Sequence, residues 1–160
     1  MDGHEVSGGL DQQVVIFRLG ESSYAIEIAA VREIIRPQPI TVVPQAPPCV
    51  VGVINLRSTV VPVLDLRKRC GLPEGEQTRE SRVVVVQVGS ESVGLQVDAV
   101  SEVITLATDV IEPAAGVIRG ADDGLLRGVA RLDDRLVMLL DLVRAIDTTT
   151  QLDLTGVEAA

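Results

Sequence analysis

The chain carries its own pattern twice. Residues 20–35 are answered 69 positions later by residues 89–104. Apolar positions 24, 26, 28, 31, 34 and 35 all meet apolar partners, while Gly20, Ala30 and Glu33 recur as Gly89, Ala99 and Glu102. Upstream, Val14-Val15-Ile16-Phe17 is matched by Val83-Val84-Val85-Val86. A second pair follows at a spacing of 76: residues 52–56 and 63–66 against 128–132 and 139–142. The difference between the two spacings places a longer middle loop in the second half, within 105–127. A period near 70 that occurs only twice is too long for a solenoid unit. The chain reads as a duplicated small module.

Each copy reads as short strands. The chain has 27 Val and 11 Ile among 160 residues, and β-branched side chains at that density fit pleated surfaces. Residues 14–19 and 82–88 are continuous apolar runs, as in strands covered on both faces. Residues 20–23 and 89–92 read as four-residue hairpin loops. The next strand alternates, placing Tyr24, Ile26 and Ile28 on one face. Five prolines break up residues 36–48 into extended connection. Residues 52–56 and 60–64 form a second hairpin over Arg57-Ser58-Thr59. Pro62 cannot donate a ladder bond, which puts its strand at an edge or a bulge. Asp65 opens a short helix that Gly71 ends, and 141–146 repeats it. The expected layout is therefore a mobile tail at 1–12, a domain at 13–146 and a second tail at 147–160. Within the domain, halves 13–71 and 82–146 are joined by a polar linker at 72–81. Barrels of this size are marginal alone, so the two share an apolar interface.

Composition closes off several functions. Fourteen basic against 23 acidic residues leave a net charge of −9, and Lys68 is the sole lysine, a poor basis for nucleic-acid binding. No apolar run reaches the length of a bilayer span, and the first residues lack a secretory leader, so the expected location is cytoplasmic. His4 is the one histidine, within a polar leader. Cys49 and Cys70 read as small buried hydrophobes rather than a disulfide or metal ligands. Asp122-Asp123 and Asp133-Asp134 read as turns between apolar runs, not as an acid–base pair. The reading assigns no catalytic residue, metal or cofactor.

Residues 52–67, with Gly52-Val53-Ile54-Asn55-Leu56-Arg57 and Val60-Val61-Pro62-Val63-Leu64-Asp65-Leu66-Arg67, closely resemble the signature of the CheW family of bacterial chemotaxis coupling proteins. The stretches 15–20, 24–28, 31–34 and 97–103 resemble it too, so the likeness spans about 13–146. It implies an all-β fold of two intertwined five-stranded SH3-like β-barrels with one or two short helices. It also implies a non-enzymatic adaptor that couples the cytoplasmic hairpin tip of a chemoreceptor to the CheW-like regulatory domain of the histidine kinase CheA. By the resemblance, Ile28, Val31, Glu33, Ile34 and Arg57 form the receptor surface, with Ile40 and Gly52 toward the kinase. An apolar patch with polar anchors at its rim suits a helical hairpin. The resemblance further implies a location at the inner face of the membrane through receptor arrays, without insertion. The alternatives are an adaptor of a non-flagellar chemosensory pathway and a small ligand-binding β-barrel. One departure stands out: the family places Gly after the Arg, and this chain has Ser58. Where the turn needs positive φ, that costs on the order of 1 kcal/mol or changes the turn type.

Overall fold

The computed structural model describes residues 11–113, 124–133 and 135–146. The first copy supplies β1 (Gln12–Leu19), β2 (Ser22–Glu27), a 3-10 turn (Ile28–Ala30), β3 (Val31–Ile35), β4 (Val50–Leu56), β5 (Thr59–Asp65) and helix α1 (Leu66–Arg69). The second supplies β6 (Arg82–Val88), β7 (Glu91–Val97), β8 (Ala99–Leu106), a 3-10 turn (Thr108–Val110), β9 (Ile111–Pro113), β10 (Leu126–Leu132), β11 (Arg135–Leu140) and helix α2 (Leu142–Ala145). Over the described residues the fold is all-β with two short helices, as the sequence leads one to expect.

The copies do not form separate sheets. One sheet has six strands in the order β8-β1-β2-β11-β10-β9, the other five in the order β3-β6-β7-β5-β4. The hairpin β1–β2 is thus inserted among strands of the second copy, and β6–β7 among strands of the first. Each insertion closes with a parallel pairing, β2 on β11 and β5 on β7. Val14-Val15-Ile16-Phe17 and Val83-Val84-Val85-Val86 are buried without alternation because both faces of these strands are covered; Val15 and Phe17 enter the shared core while Val14 and Ile16 enter a second cluster. Both inserted hairpins feed one core, Phe17, Tyr24 and Ile26 packing with Val84, Val86, Val93 and Leu95. Phe17 and Tyr24 stack at 6.1 Å.

Three expectations change in detail. The first hairpin of each copy turns in two residues, not four: Leu19 faces Ser22, and Val88 faces Glu91. Gly20 and Gly89 sit at φ +64° and +63°, as a glycine in the first turn position of a two-residue hairpin requires. Pro62 lies in β5, which is an interior strand between β7 and β4, and the nearby bulge falls at Val50/Gly52 instead. The proline is tolerated because the parallel ladder to β7 begins one residue later, at Val63. Third, part of the expected 105–127 loop is ordered structure, with β8 running to Leu106 and β9 pairing with β10. Asp133 does sit in a turn, at φ 43°; Asp122, Asp123 and Asp134 lie outside the described residues, as do 1–10, 147–160 and positions 114–123 of the loop.

The helices repeat one cap. Asp65 accepts from the Arg67 and Lys68 amides at 2.9 and 3.4 Å, and Asp141 accepts from the Arg144 amide at 3.1 Å. Arg69 of α1 then donates to the Ala145 and Arg144 carbonyls of α2, at 3.1 and 2.8 Å. A guanidinium at the last turn satisfies carbonyls that the helix itself leaves open.

Candidate functional site

The turn between β4 and β5 sets the site. Leu56 faces Thr59, leaving Arg57 and Ser58 alone in the turn, with φ of 51° and 72°. Positive φ at both central positions is the I′ arrangement that suits the twist of a two-residue hairpin. Ser58 therefore keeps the backbone a glycine would adopt. The Asn55 Oδ1 helps to hold it, accepting from the Ser58 amide at 3.0 Å. Ser58→Gly is expected to stabilise the fold by about 0.5–1 kcal/mol, read as a rise of a few degrees in the melting temperature.

From this turn the Arg57 guanidinium reaches Glu33 on β3, forking onto both carboxylate oxygens, with Nη1 to Oε1 at 3.2 Å. The Arg57 hydrogen bond holds the Glu33 carboxyl below the usual carboxylate range. β3 and β4 are the two edge strands of the five-stranded sheet, so this pair joins its opposite margins and shows the sheet curling on itself. The second copy builds a counterpart, with Glu102 of β8 paired to Arg135 at the start of β11. Glu102 is the repeat partner of Glu33; Arg135 lies two positions beyond the repeat partner of Arg57.

Around the pair, Ile28 in its 3-10 turn and Val31 at the head of β3 are half-buried against the shared core. Ile34 points outward and stays 39% exposed. Ile28, Val31, Glu33 and Ile34 thus lie along one continuous stretch, and Arg57 is brought to it from the far edge of the sheet.

Ile40 and Gly52 form a second group. Thr41 exchanges two backbone hydrogen bonds with Val53, at 2.9 and 2.8 Å, which lays the proline-rich connection across β4. Gly52 is buried at φ +152°, and a Cβ there would crowd the Thr41 carbonyl and come within 2.6 Å of Ile40 Cγ2. Gly52 is a seat for Ile40, not an exposed contact. Gly128 does the same under β9, where a Cβ would come within 2.7 Å of the Glu112 carbonyl.

Sequence reasoning did not single out the most connected polar group. Asp98, between β7 and β8, accepts from Arg67 Nε at 3.0 Å and Nη2 at 2.7 Å, and from the Gly20 amide at 2.7 Å. Arg67 also donates to the Pro73 carbonyl at 2.8 Å, so the linker is pinned where it leaves α1. Burial acts to raise the Asp98 pKa, but the hydrogen bonds from Arg67 and Gly20 and the charges of Arg67 and Arg18 outweigh it and leave it lowered. Burial also pushes the Cys70 thiol up to about 11, which makes it a poor nucleophile. Among the described residues no three His, Cys, Asp or Glu side chains gather as metal ligands, and no helix is long and apolar enough to cross a membrane.

Comparison with known proteins gives one family. A model of the CheW-like domain matches residues 13–149. The chain is 37% identical over 139 residues to the chemotaxis protein CheW of Rhizobium meliloti, covering 87% of this chain and 88% of the relative. It is 35% identical over 136 residues to the chemotaxis protein CheW of Bacillus subtilis, covering 85% and 87%. Its fold superimposes on the scaffolding protein TtCheW from Thermoanaerobacter tengcongensis with a TM-score of 0.76 and 33% identity, over 82% of this chain and 90% of that one.

Proposed function

The chain belongs to the CheW family of chemotaxis coupling adaptors, and we propose that it does its coupling through two separate faces of the paired modules described above. One face is the stretch Ile28, Val31, Glu33 and Ile34 with Arg57, and it takes the cytoplasmic helical hairpin of a chemoreceptor. The other is the seat of Ile40 on Gly52, and it takes the regulatory domain of the histidine kinase CheA. The working unit is residues 13–146, built from the two repeat halves, and it performs no catalysis of its own. The protein reaches the inner face of the membrane only through its receptor.

The single observation that carries the receptor face is the Arg57–Glu33 fork beside exposed and half-exposed aliphatic side chains. An apolar strip flanked by a polar anchor is what an amphipathic helix needs to lie down in one register. Arg57 is 71% exposed, so the guanidinium retains room for a partner carboxylate beside Glu33. Each contact can be individually weak, because linked sites in an array add their affinities through high effective concentration.

Arg57→Glu places a carboxylate opposite Glu33 and reverses the charge offered to the partner. The expected result is a loss of about tenfold or more in affinity for a soluble receptor fragment, with kinase binding and melting temperature little changed. Co-sedimentation with the receptor fragment and with the kinase, run pairwise and together, measures this. An unchanged receptor affinity in the variant would remove Arg57 from the docking face. Binding of neither partner by the wild type would remove the coupling role itself.

A further inference from the structure

The stretch assigned above to the receptor has a twin. The repeat carries Ile28, Val31, Glu33 and Ile34 onto Val97, Val100, Glu102 and Val103. Glu102 has its own arginine, Arg135, and the aliphatic side chains next to that pair are open: Val103 is 48% exposed and Leu136 57%. The two faces differ at the head. Ile28 is half-buried, whereas Val97 is buried and lines a cleft of about 360 Å3 that the linker residues Glu74, Gly75 and Glu76 also line. Although polar enough to be free chain, linker 72–81 is tied at both ends. The Leu72 amide donates to the Arg67 carbonyl and Arg67 Nη1 donates to the Pro73 carbonyl, each at 2.8 Å. At the far end Glu80 pairs with Arg18 at 3.3 Å. In between, the backbone at Gly75 lies against the Arg67 guanidinium, so closely that a Cβ there would come within 2.5 Å of Cζ.

From this contrast we infer that linker 72–81 is a strap that bars a second receptor hairpin from the Val97–Val103 face, so that the duplicated chain takes one receptor and not two. The inference rests on the receptor-binding reading above. Residues 97–103 reach at most about 25 Å even fully extended. A hairpin of two helices, each about 10 Å across, overruns so short a strip and meets the linker beside Val97. The strap suits its place by charge, since Glu74, Glu76 and Glu80 lie on a segment that meets Arg67 and Arg18. Its grip comes from Asp98, which holds Arg67 through Nε at 3.0 Å and Nη2 at 2.7 Å and so keeps the guanidinium under Gly75. The first copy's own face has no such guard, because Ala29 stands in place of Asp98 and Val143 in place of Arg67. The strap matters because two receptor sites on one chain would link receptors to one another through high effective concentration, with no kinase between them.

The test counts soluble receptor fragments bound per full-length chain, from the mass of the saturated complex in sedimentation equilibrium. The wild type should take one. Gly75→Val combined with Glu80→Ala should lift the strap, because Asp98 keeps Arg67 from swinging aside for the new side chain and the tie to Arg18 is gone. Cleavage after Glu74 and Glu76 by a glutamyl endopeptidase should then be about tenfold faster, as in a segment released from the fold. The lifted chain should take two fragments, and adding Arg135→Glu should return it to one. Faster cleavage with one fragment still bound would overturn the strap, as would unchanged cleavage or a wild type that already takes two. A second fragment that survives Arg135→Glu would sit elsewhere and would overturn it as well. Arg57→Glu in the wild type reports on the underlying reading. Unchanged binding there would overturn the receptor face and the strap's role together, whereas lost binding there with only one fragment on the lifted chain would overturn the strap alone.

Discussion

Replacing Gly52 with alanine lowers the melting temperature by roughly 10 °C, corresponding to about 3–5 kcal/mol in a domain of this size. Two independent terms act together. At φ +152° an L side chain is strained, at a cost of about 1–3 kcal/mol. The new methyl also pushes into the Thr41 carbonyl and Ile40, the segment that crosses β4. Backbone cannot yield there cheaply, because Thr41 is held to Val53 by both of its hydrogen bonds. Thermal unfolding followed by circular dichroism reads the effect. A melting point within about 2 °C of wild type would mean that the crossing is loose. If the kinase docks at this seat as proposed, a Gly52 variant loses it through the displaced Ile40 rather than through a missing contact at position 52.

Asp98→Asn is the second large change. The pair it breaks is half-buried, with side-chain exposures of 21% and 22%, so the cost of stranding Arg67 is less than for a fully buried pair, at about 2–3 kcal/mol. The loss includes more than the pair, because Asp98 also accepts from the Gly20 turn and so ties β1–β2 to α1 and the linker. The same carboxylate sets part of the acid limb of stability. Its folded pKa lies below the ordinary value near 4, so its contribution is fully present above that value. It is lost as the pH falls through the depressed folded pKa. The variant should therefore melt lower at neutral pH and show a flatter decline between about pH 4 and pH 2 than the wild type. Parallel acid curves would show that Asp98 titrates the same way folded and unfolded.

These two residues also mark what could and could not be read from sequence. Gly52 was visible as half of a repeated pair with Gly128, but its reason, a chain lying across it, depends on a contact eleven residues away. Arg67 stood in the family signature and Asp98 in the stretch 97–103, but nothing marked them as partners, because their counterparts in the repeat are Val143 and Ala29 and comparison of the copies pointed away from the pair. The Glu33–Arg57 pair was half legible, since glutamate recurs at 102 while the arginine shifts by two positions. Strand content, the buried runs at 14–17 and 83–86 and both helix caps follow from local chemistry and were legible directly. Turn lengths were not, because Ser22 and Ser23 are polar enough to look like loop yet continue β2. Pro62 misled for a similar reason: a ladder that starts one residue after a proline leaves the same sequence as an edge strand.

The exchange of hairpins between the two sheets has a mechanical consequence. Linker 72–81 divides the repeat in sequence, but a load applied to one face passes into strands that belong to the other half. Among the described residues the two halves are joined by the exchanged hairpins, and Arg69 further locks the two helix ends together. A partner held on the β3 side and another held where Ile40 crosses β4 are, on the proposed reading, joined by a strut, not a tether. A shift of one by an ångström or two reaches the other as displacement and is not absorbed as slack.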